Sequence, residues 1–226
     1  MLERSIISED VIDVFEAMGI KRPEVSILSE EFLNEVREMK QKNLAVEMLK
    51  KLLEGNIKAM EKRNLVKSEK FSEKLKKALN KYRNQAITNA EVIEELIRMA
   101  HEIKKMKEDE ASLGLSEDEI AFYDALTADE IVKEFMEDKP LKLIAHELTL
   151  AIRKNITIDW SIRKSAQATM RKIIKRPLKK YDYPPGQALK AMQVVMRQAE
   201  KMCGYVYEQE DWYGNVAEDE GDFNID

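Results

Sequence analysis

The chain has 226 residues, of which 44% are hydrophobic and 36% charged, with only 7 Gly and 5 Pro and a net charge of -5. This composition argues against a disordered chain, favours long amphipathic helices, and gives no global signature of nucleic-acid binding. A single cysteine excludes an internal disulfide, and neither a signal peptide nor an apolar run long enough to span a membrane is present, so we expect a soluble cytoplasmic protein.

Capping residues and apolar spacing predict the helices of the first half of the chain. Ser8 and Ser29 are expected to begin helices, and Gly19 to end the first of them. Further helices are predicted over residues 43–63 and 68–85. The sequence Thr-Asn-Ala-Glu at 88–91 has the pattern of a capping box. The helix after it carries an apolar seam formed by Val92, Leu96, Met99, Ile103 and Met106, and it ends in the polar run 107–112 and at Gly114.

The second half begins with two more capping-box patterns, at residues 116–119 and 127–130. Pro140 suits the first position of a helix over 141–154. Asp159 is a plausible N-cap for a helix to about residue 181, which Pro177 should kink or end. Tyr-Pro-Pro-Gly at 183–186 is expected to separate this helix from the next one. The last helix, 187–203, has an apolar seam of Leu189, Met192, Met196, Ala199 and Cys203.

Residues 205–226 contain eight acidic residues and no Lys or Arg, which predicts a loose acidic tail. No segment has a convincing strand pattern. The predicted fold class is therefore all-α, a multi-helix bundle. We expect two helical lobes, 1–114 and 115–204, with the boundary near Gly114, and the acidic tail 205–226.

The residues that most catalytic or cofactor sites need are missing from the sequence. There is no P-loop and no Gly-x-Gly, so no nucleotide cradle is recognisable. His101 and His146 lack partners at zinc-ligand spacing, and Leu150 stands where the second histidine of a His-Glu-x-x-His motif would be. Cys203 lies on an apolar helical face and is expected to be a packed thiol. We therefore nominate no catalytic, cofactor-binding or metal residue.

Residues 151–180 contain ten basic residues against one acid, Asp159. On a helix, Lys164, Arg171, Lys175 and Lys179 share one face. The candidate contact residues for a partner or DNA are Arg163, Lys164, Arg171, Lys172, Lys175 and Lys179. Such a stripe could meet phosphates, an acidic partner surface or the chain's own acidic tail, or it could be a solvated face. Trp160 beside it is either a core anchor or a stacking platform.

Several short segments follow one another in a distinctive order. They are the stretches 27–33, 41–47 and 115–126, Ile-Asp-Trp at 158–160, Lys-Arg-Pro-Leu-Lys-Lys-Tyr at 175–181, Tyr-Pro-Pro at 183–185 and Gln-Ala-Glu at 198–200. Together these segments, which span roughly residues 11–202, resemble the C-terminal region of R (restriction) subunits of type I restriction endonucleases. Two residues depart from the family pattern: an aliphatic residue is usual where Pro177 stands, and glycine where Asp182 stands.

The resemblance implies a modular parent, an ATP-dependent translocase and endonuclease whose nuclease and motor domains precede this helical region. ATP and Mg would belong to those other domains, and this chain would need no cofactor and carry no catalysis. The implied partners are the methyltransferase and specificity subunits, the motor domains of the parent and double-stranded DNA, with no membrane. The expected function is an assembly and coupling module that docks the translocase onto the methyltransferase core. The alternative is a helical DNA-binding module that uses the basic segment 151–180.

Overall fold

A computed structural model describes residues 29–155, 160 and 162–218, with side chains as far as residue 204. The predicted helix that begins at Ser8, and Asp159 with its capping role, lie outside these residues. The described part forms helices without strands, which confirms the all-α prediction. The helices are α1 Glu30–Glu38, α2 Lys42–Arg63, α3 Leu65–Arg83, α4 Asn89–Ser112, α5 Glu117–Leu126, α6 Val132–Phe135, α7 Asp138–Asn155, α8 Lys164–Lys180 and α9 Pro185–Glu218.

The chain divides into two compact units. The described part of unit 1 comprises residues 29–61 and 67–114, and that of unit 2 comprises residues 62–66 and those from 115 onward. Unit 2 therefore includes the short junction between α2 and α3. No helix in the described ranges combines the length and the apolar character that a membrane span requires.

Unit 1 packs α1, most of α2 and α3, and α4 around one apolar core. The seam predicted on α4 is buried at Val92, Leu96, Met99 and Ile103, and Met106 is partly buried. Lysines of α3 pair with glutamates of α4 in reverse order, which makes the two helices antiparallel. The pairs are Lys81 with Glu95 at 3.1 Å, Lys74 with Glu102, and Lys67 with Glu110. Cations on this face therefore meet carboxylates.

Two of the three predicted capping boxes are present. The Thr88 hydroxyl accepts the Glu91 N–H at 3.3 Å, and the Ser116 hydroxyl accepts the Glu119 N–H at 3.4 Å, with the reciprocal glutamate bonds in place. The prediction at Thr127 was wrong, because this residue ends α5 instead of beginning a helix. Its hydroxyl donates to the Tyr123 carbonyl at 2.9 Å, a bond back into the preceding turn.

The capping box of α4 predicts a pH dependence of stability. Hydrogen bonds from the Thr88 backbone and then from its side chain hold the pKa of Glu91 below its usual value. The stabilisation is therefore complete above the unfolded pKa of about 4.3 and is lost as pH falls through the lower folded pKa. We expect Glu91→Gln, which keeps a neutral acceptor, to flatten this acid limb in urea melts at several pH values. An unchanged acid limb would contradict the assignment.

Unit 2 packs α5 against α7 and α9, and α8 against α7 and α9. Its core contains Phe122, Ile144, Ile174 and Val195, all 0% exposed, together with Trp160. Trp160 is 2% exposed, which agrees with the interpretation as a core anchor and leaves no stacking surface. The unit therefore has an apolar core of its own.

Helix boundaries in unit 2 correct several expectations. Pro140 is the third residue of α7 and not its first, a place in the first turn where a missing N–H still costs nothing. The basic helix begins at Lys164, with Arg163 as its N-cap, and not at Asp159. Pro177 does not end α8, which runs on to Lys180. Because it stands in the last turn and is buried in the core, Pro177 removes only one helical hydrogen bond.

The last helix differs from its prediction at both ends. It begins at Pro185 and continues to Glu218, so residues 205–218, which were predicted to belong to a loose acidic tail, are helical. No proline interrupts 205–218, and glutamate and glutamine favour helix. Leu189 is 64% exposed and does not belong to the buried seam, which instead includes Ala191, Val195 and Met202.

Non-glycine residues with positive φ close two helices. Asp182 has φ 51° after α8, and Gln85 has φ 55° after α3. At each, the following N–H bonds back to the carbonyl five residues earlier: Tyr183 to Leu178 and Ala86 to Lys81, both at 2.9 Å. This is the Schellman geometry, whose left-handed residue is usually glycine.

We expect Asp182→Gly and Gln85→Gly each to stabilise the chain by about 0.5–1 kcal/mol, because glycine adopts positive φ without the steric cost of a Cβ. Urea-unfolding midpoints check this. Gly114→Ala, at φ 67°, is the inverse control and should destabilise. A lower midpoint for Asp182→Gly than for the wild type would overturn the expectation.

Candidate interaction surfaces

The six residues nominated as contacts lie together at the start and along the solvent side of α8. Arg163 caps the helix, and Lys164, Arg171, Lys172, Lys175 and Lys179 are exposed on it, together with Arg176. The opposite side of the helix is buried through Met170, Ile174 and Leu178. Because those apolar residues fix the orientation of α8, all the basic side chains turn outward. No acidic residue occurs in α8.

Three lysines on α3 of unit 1 form ion pairs with glutamates, whereas most exposed cations of α8 have no carboxylate partner among the described side chains. Among the described side chains, no ion pair engages Lys164, Arg171, Lys172, Lys175, Arg176 or Lys179, and Arg171 only reaches the Gln167 side chain at 3.5 Å. We name these six residues the α8 cationic face. At its end Lys180 does pair with Glu147 of α7, whose carboxylate raises the Lys180 pKa.

The two histidines and the cysteine that the sequence analysis considered as site residues contact or pack against residues of their own unit. His101 lies 3.2 Å from Glu30 and His146 contacts Glu119, in each case a glutamate on another helix of the same unit. Cys203 is buried, and burial raises the pKa of its thiol, which opposes thiolate formation. Within the described residues, no three His, Cys, Asp or Glu side chains are grouped as a metal site.

Exposed large apolar side chains form a second surface feature, which sequence analysis missed. All those among the described residues belong to unit 2: Ile131, Phe135, Leu143, Leu150, Ile162 and Leu189, with exposures from 41% to 80%. Leu143 and Leu150 are seven residues apart and share one face of α7. A signal existed in the sequence, because α7 has more apolar residues than one buried stripe of Leu141, Ile144, Leu148 and Ile152 can use.

A buried amide at the α2–α3 junction was also missed as a structural residue. Gln198 of α9 is 2% exposed. Its Oε1 accepts the Leu65 N–H at 2.9 Å, and its Nε2 donates to the Arg63 carbonyl at 2.7 Å. Between these two residues, Asn64 donates from Nδ2 to Asp124 Oδ2 at 2.6 Å. Gln198 of α9 thus satisfies backbone groups where the chain passes from α2 to α3, and Asp124 of α5 holds the Asn64 side chain at the same place.

A family model and two curated proteins that are similar to this chain all describe endonuclease subunits of type I restriction enzymes. Residues 1–204 match the family described as "Type I restriction enzyme HindI endonuclease subunit-like, C-terminal". The chain is 36% identical over 203 residues to the type I restriction enzyme HindI endonuclease subunit of Haemophilus influenzae, covering 90% of this chain and 19% of that protein. It is 36% identical over 176 residues to a putative type I restriction enzyme MjaIXP endonuclease subunit of Methanocaldococcus jannaschii, covering 77% and 17%.

The chain thus spans about a fifth of the length of these relatives. No solved structure matches it significantly.

Proposed function

Because the chain belongs to the family of C-terminal regions of HindI-like type I restriction enzyme endonuclease subunits, we propose that it is a non-catalytic assembly module. It docks the ATP-dependent translocase and endonuclease of its parent onto the methyltransferase–specificity core. Unit 2 makes that contact, and residues before Gly114 pack beside the motor domains. The non-catalytic part rests on the sequence, which has no P-loop and no zinc-ligand spacing.

The exposed apolar side chains of unit 2 are the observation that carries the docking role. Single exposed apolar side chains are common in soluble proteins, whereas several on one face mark places where another macromolecule binds, and Leu143 and Leu150 share one face of α7. Phe135 is 72% exposed and Leu150 is 58% exposed, whereas unit 1 exposes no such side chain in its described part. The asymmetry supports a protein partner for unit 2, since apolar and aromatic anchors dominate the energetics of protein interfaces.

Co-elution with the cognate methyltransferase–specificity complex tests the proposal, using the chain with Leu143→Ser and Leu150→Ser. Each leucine should contribute about 1.5 kcal/mol or more when buried by a partner, so we expect affinity to fall about 10²-fold. Both side chains are exposed, so the urea midpoint of the free chain should not change.

The matched control keeps the apolar character, with Leu143→Met and Leu150→Met, and should co-elute like the wild type. If the wild-type chain does not bind the complex without DNA, or if the serine variant binds it as well as the methionine variant does, the docking role of this surface is wrong.

A further inference from the structure

The like charges of the α8 cationic face repel one another and therefore do not stabilise the isolated chain. Arg171, Lys175 and Lys179 stand at four-residue spacing, as do Lys172 and Arg176. Like charges at this spacing repel and destabilise a helix by a few tenths of a kcal/mol for each pair. On α3 of unit 1, lysines meet glutamates of α4, but the described residues provide no carboxylate to the six cations of α8. As far as the described side chains extend, the face therefore has binding capacity for a polyanion that no carboxylate uses.

The composition of the face distinguishes a nucleic acid from a protein as that polyanion. Between the cations, the exposed side chains of α8 are Ser165, Ala168 and Thr169, all small. Protein interfaces need apolar or aromatic anchors and are depleted in lysine. A phosphate backbone needs only regularly spaced cations and room for close approach. This face offers four lysines and two arginines without an apolar anchor, and the exposed apolar side chains of unit 2 occur on other segments.

The length of α8 and the absence of exposed aromatic side chains on its cationic face favour a double-stranded over a single-stranded nucleic acid as the ligand. The 17 residues of α8 extend about 25 Å, and along that length a duplex presents about 15 phosphate charges, more than the six cations need. Binding of single strands relies on exposed aromatic side chains that stack on bases. The α8 cationic face has none, and the neighbouring Trp160 is buried.

We propose that the α8 cationic face is a binding site for the phosphate backbone of double-stranded nucleic acid, independent of base sequence. Lys164, Arg171, Lys172, Lys175, Arg176 and Lys179 contact phosphates of one duplex segment. The face reads no bases, because phosphate contacts position a protein without specifying sequence. This site lies on α8, whereas Leu143 and Leu150, the leucines tested for docking, lie on α7.

The test measures binding of the 226-residue chain to a fluorescently labelled random-sequence DNA duplex of about 20 base pairs across a series of salt concentrations. Six phosphate contacts predict that log K falls against log salt with a slope of about -5. Lys172→Gln, Lys175→Gln and Lys179→Gln together should reduce the slope to about -3 and weaken binding roughly 10²-fold or more near 0.1 M salt. Because like charges are removed, this variant should remain folded with an unchanged or higher urea midpoint.

A matched control removes three exposed lysines of unit 1 that form no ion pair within the described part, with Lys58→Gln, Lys76→Gln and Lys105→Gln. The net charge changes equally, so only the location differs, and this variant should keep most of the wild-type affinity and slope. If both triple variants lost the same affinity for duplex DNA, the loss would depend on net charge and not on the location of the lysines, and the proposal would be wrong. Tighter binding of a single strand than of the duplex would also overturn it.

The same variants separate this site from the docking surface. The leucine-to-serine variant at 143 and 150 should bind duplex normally, and the triple glutamine variant should still co-elute with the methyltransferase–specificity complex in the absence of DNA. If the glutamine variant loses that complex and retains duplex binding, the α8 cationic face is a protein-docking surface and the proposal is wrong.

Discussion

Replacing Gln198 by methionine is expected to lower the free energy of unfolding by about 2–4 kcal/mol. Methionine fills a similar volume but makes neither the bond to the Leu65 N–H nor that to the Arg63 carbonyl. The Leu65 N–H is buried, and a buried backbone group that loses its partner costs about 1–3 kcal/mol, while loss of the part-buried bond to the Arg63 carbonyl adds about 1 kcal/mol. Domains are stable by only about 5–15 kcal/mol, so the loss is large. Urea unfolding followed by circular dichroism measures it.

Gln193→Met is the matched control, because Gln193 is on the same helix and exposed. It should leave the urea midpoint within about 0.5 kcal/mol of the wild type, as surface substitutions do. The difference between the two variants isolates the buried hydrogen bonds from the change in helix propensity. Equal midpoints for the two variants would show that the amide of Gln198 contributes nothing at the α2–α3 junction.

The second large effect is expected at Phe122, whose side chain is 0% exposed in the core of unit 2. Phe122→Ala should destabilise the chain by about 3–5 kcal/mol, the sum of the lost apolar transfer energy and the cavity that remains. Because unit 1 has a separate core, the loss should appear in the thermal transition of unit 2. Differential scanning calorimetry resolves whether one or two transitions are present and which of them shifts.

Phe135 provides an internal control of the same residue type, since it is 72% exposed on α6 of the same unit. Phe135→Ala should leave the melting of the free chain nearly unchanged and affect only binding to a partner. A destabilisation by Phe135→Ala comparable to that by Phe122→Ala would contradict the burial of these two side chains.

Local features were predictable from the sequence because the residues that create them are close in the chain. Each of the capping boxes at Thr88 and Ser116 needs four consecutive residues, and both are present. The seam of α4 follows from helical periodicity alone. The shared face of Lys164, Arg171, Lys175 and Lys179 also follows from periodicity, since one helix carries all four.

Predictions from similar local patterns were wrong where the preceding helix continued into the pattern or where no neighbouring helix covered the predicted face. Thr-Ala-Asp-Glu at 127–130 has the spacing of a capping box, but α5 is still helical when the chain reaches Thr127, and the hydroxyl bonds back to Tyr123. Leu189 fits an apolar seam by spacing, yet α9 turns Val195 and Met202 toward the core and leaves Leu189 exposed. Spacing defines a face of a helix but not which face a neighbour covers.

The sequence by itself therefore determined the helical class, the capped helix starts at Thr88 and Ser116 and the basic character of α8, because propensity, capping and periodicity act over a few residues. Only the tertiary structure decided which charges and apolar groups are left for a partner. Lys67, Lys74 and Lys81 of α3 meet glutamates 14 to 43 residues away, whereas the cations of the α8 cationic face meet none in the described part. Leu150 is exposed and Gln198 is buried for the same reason, since burial depends on how distant helices pack.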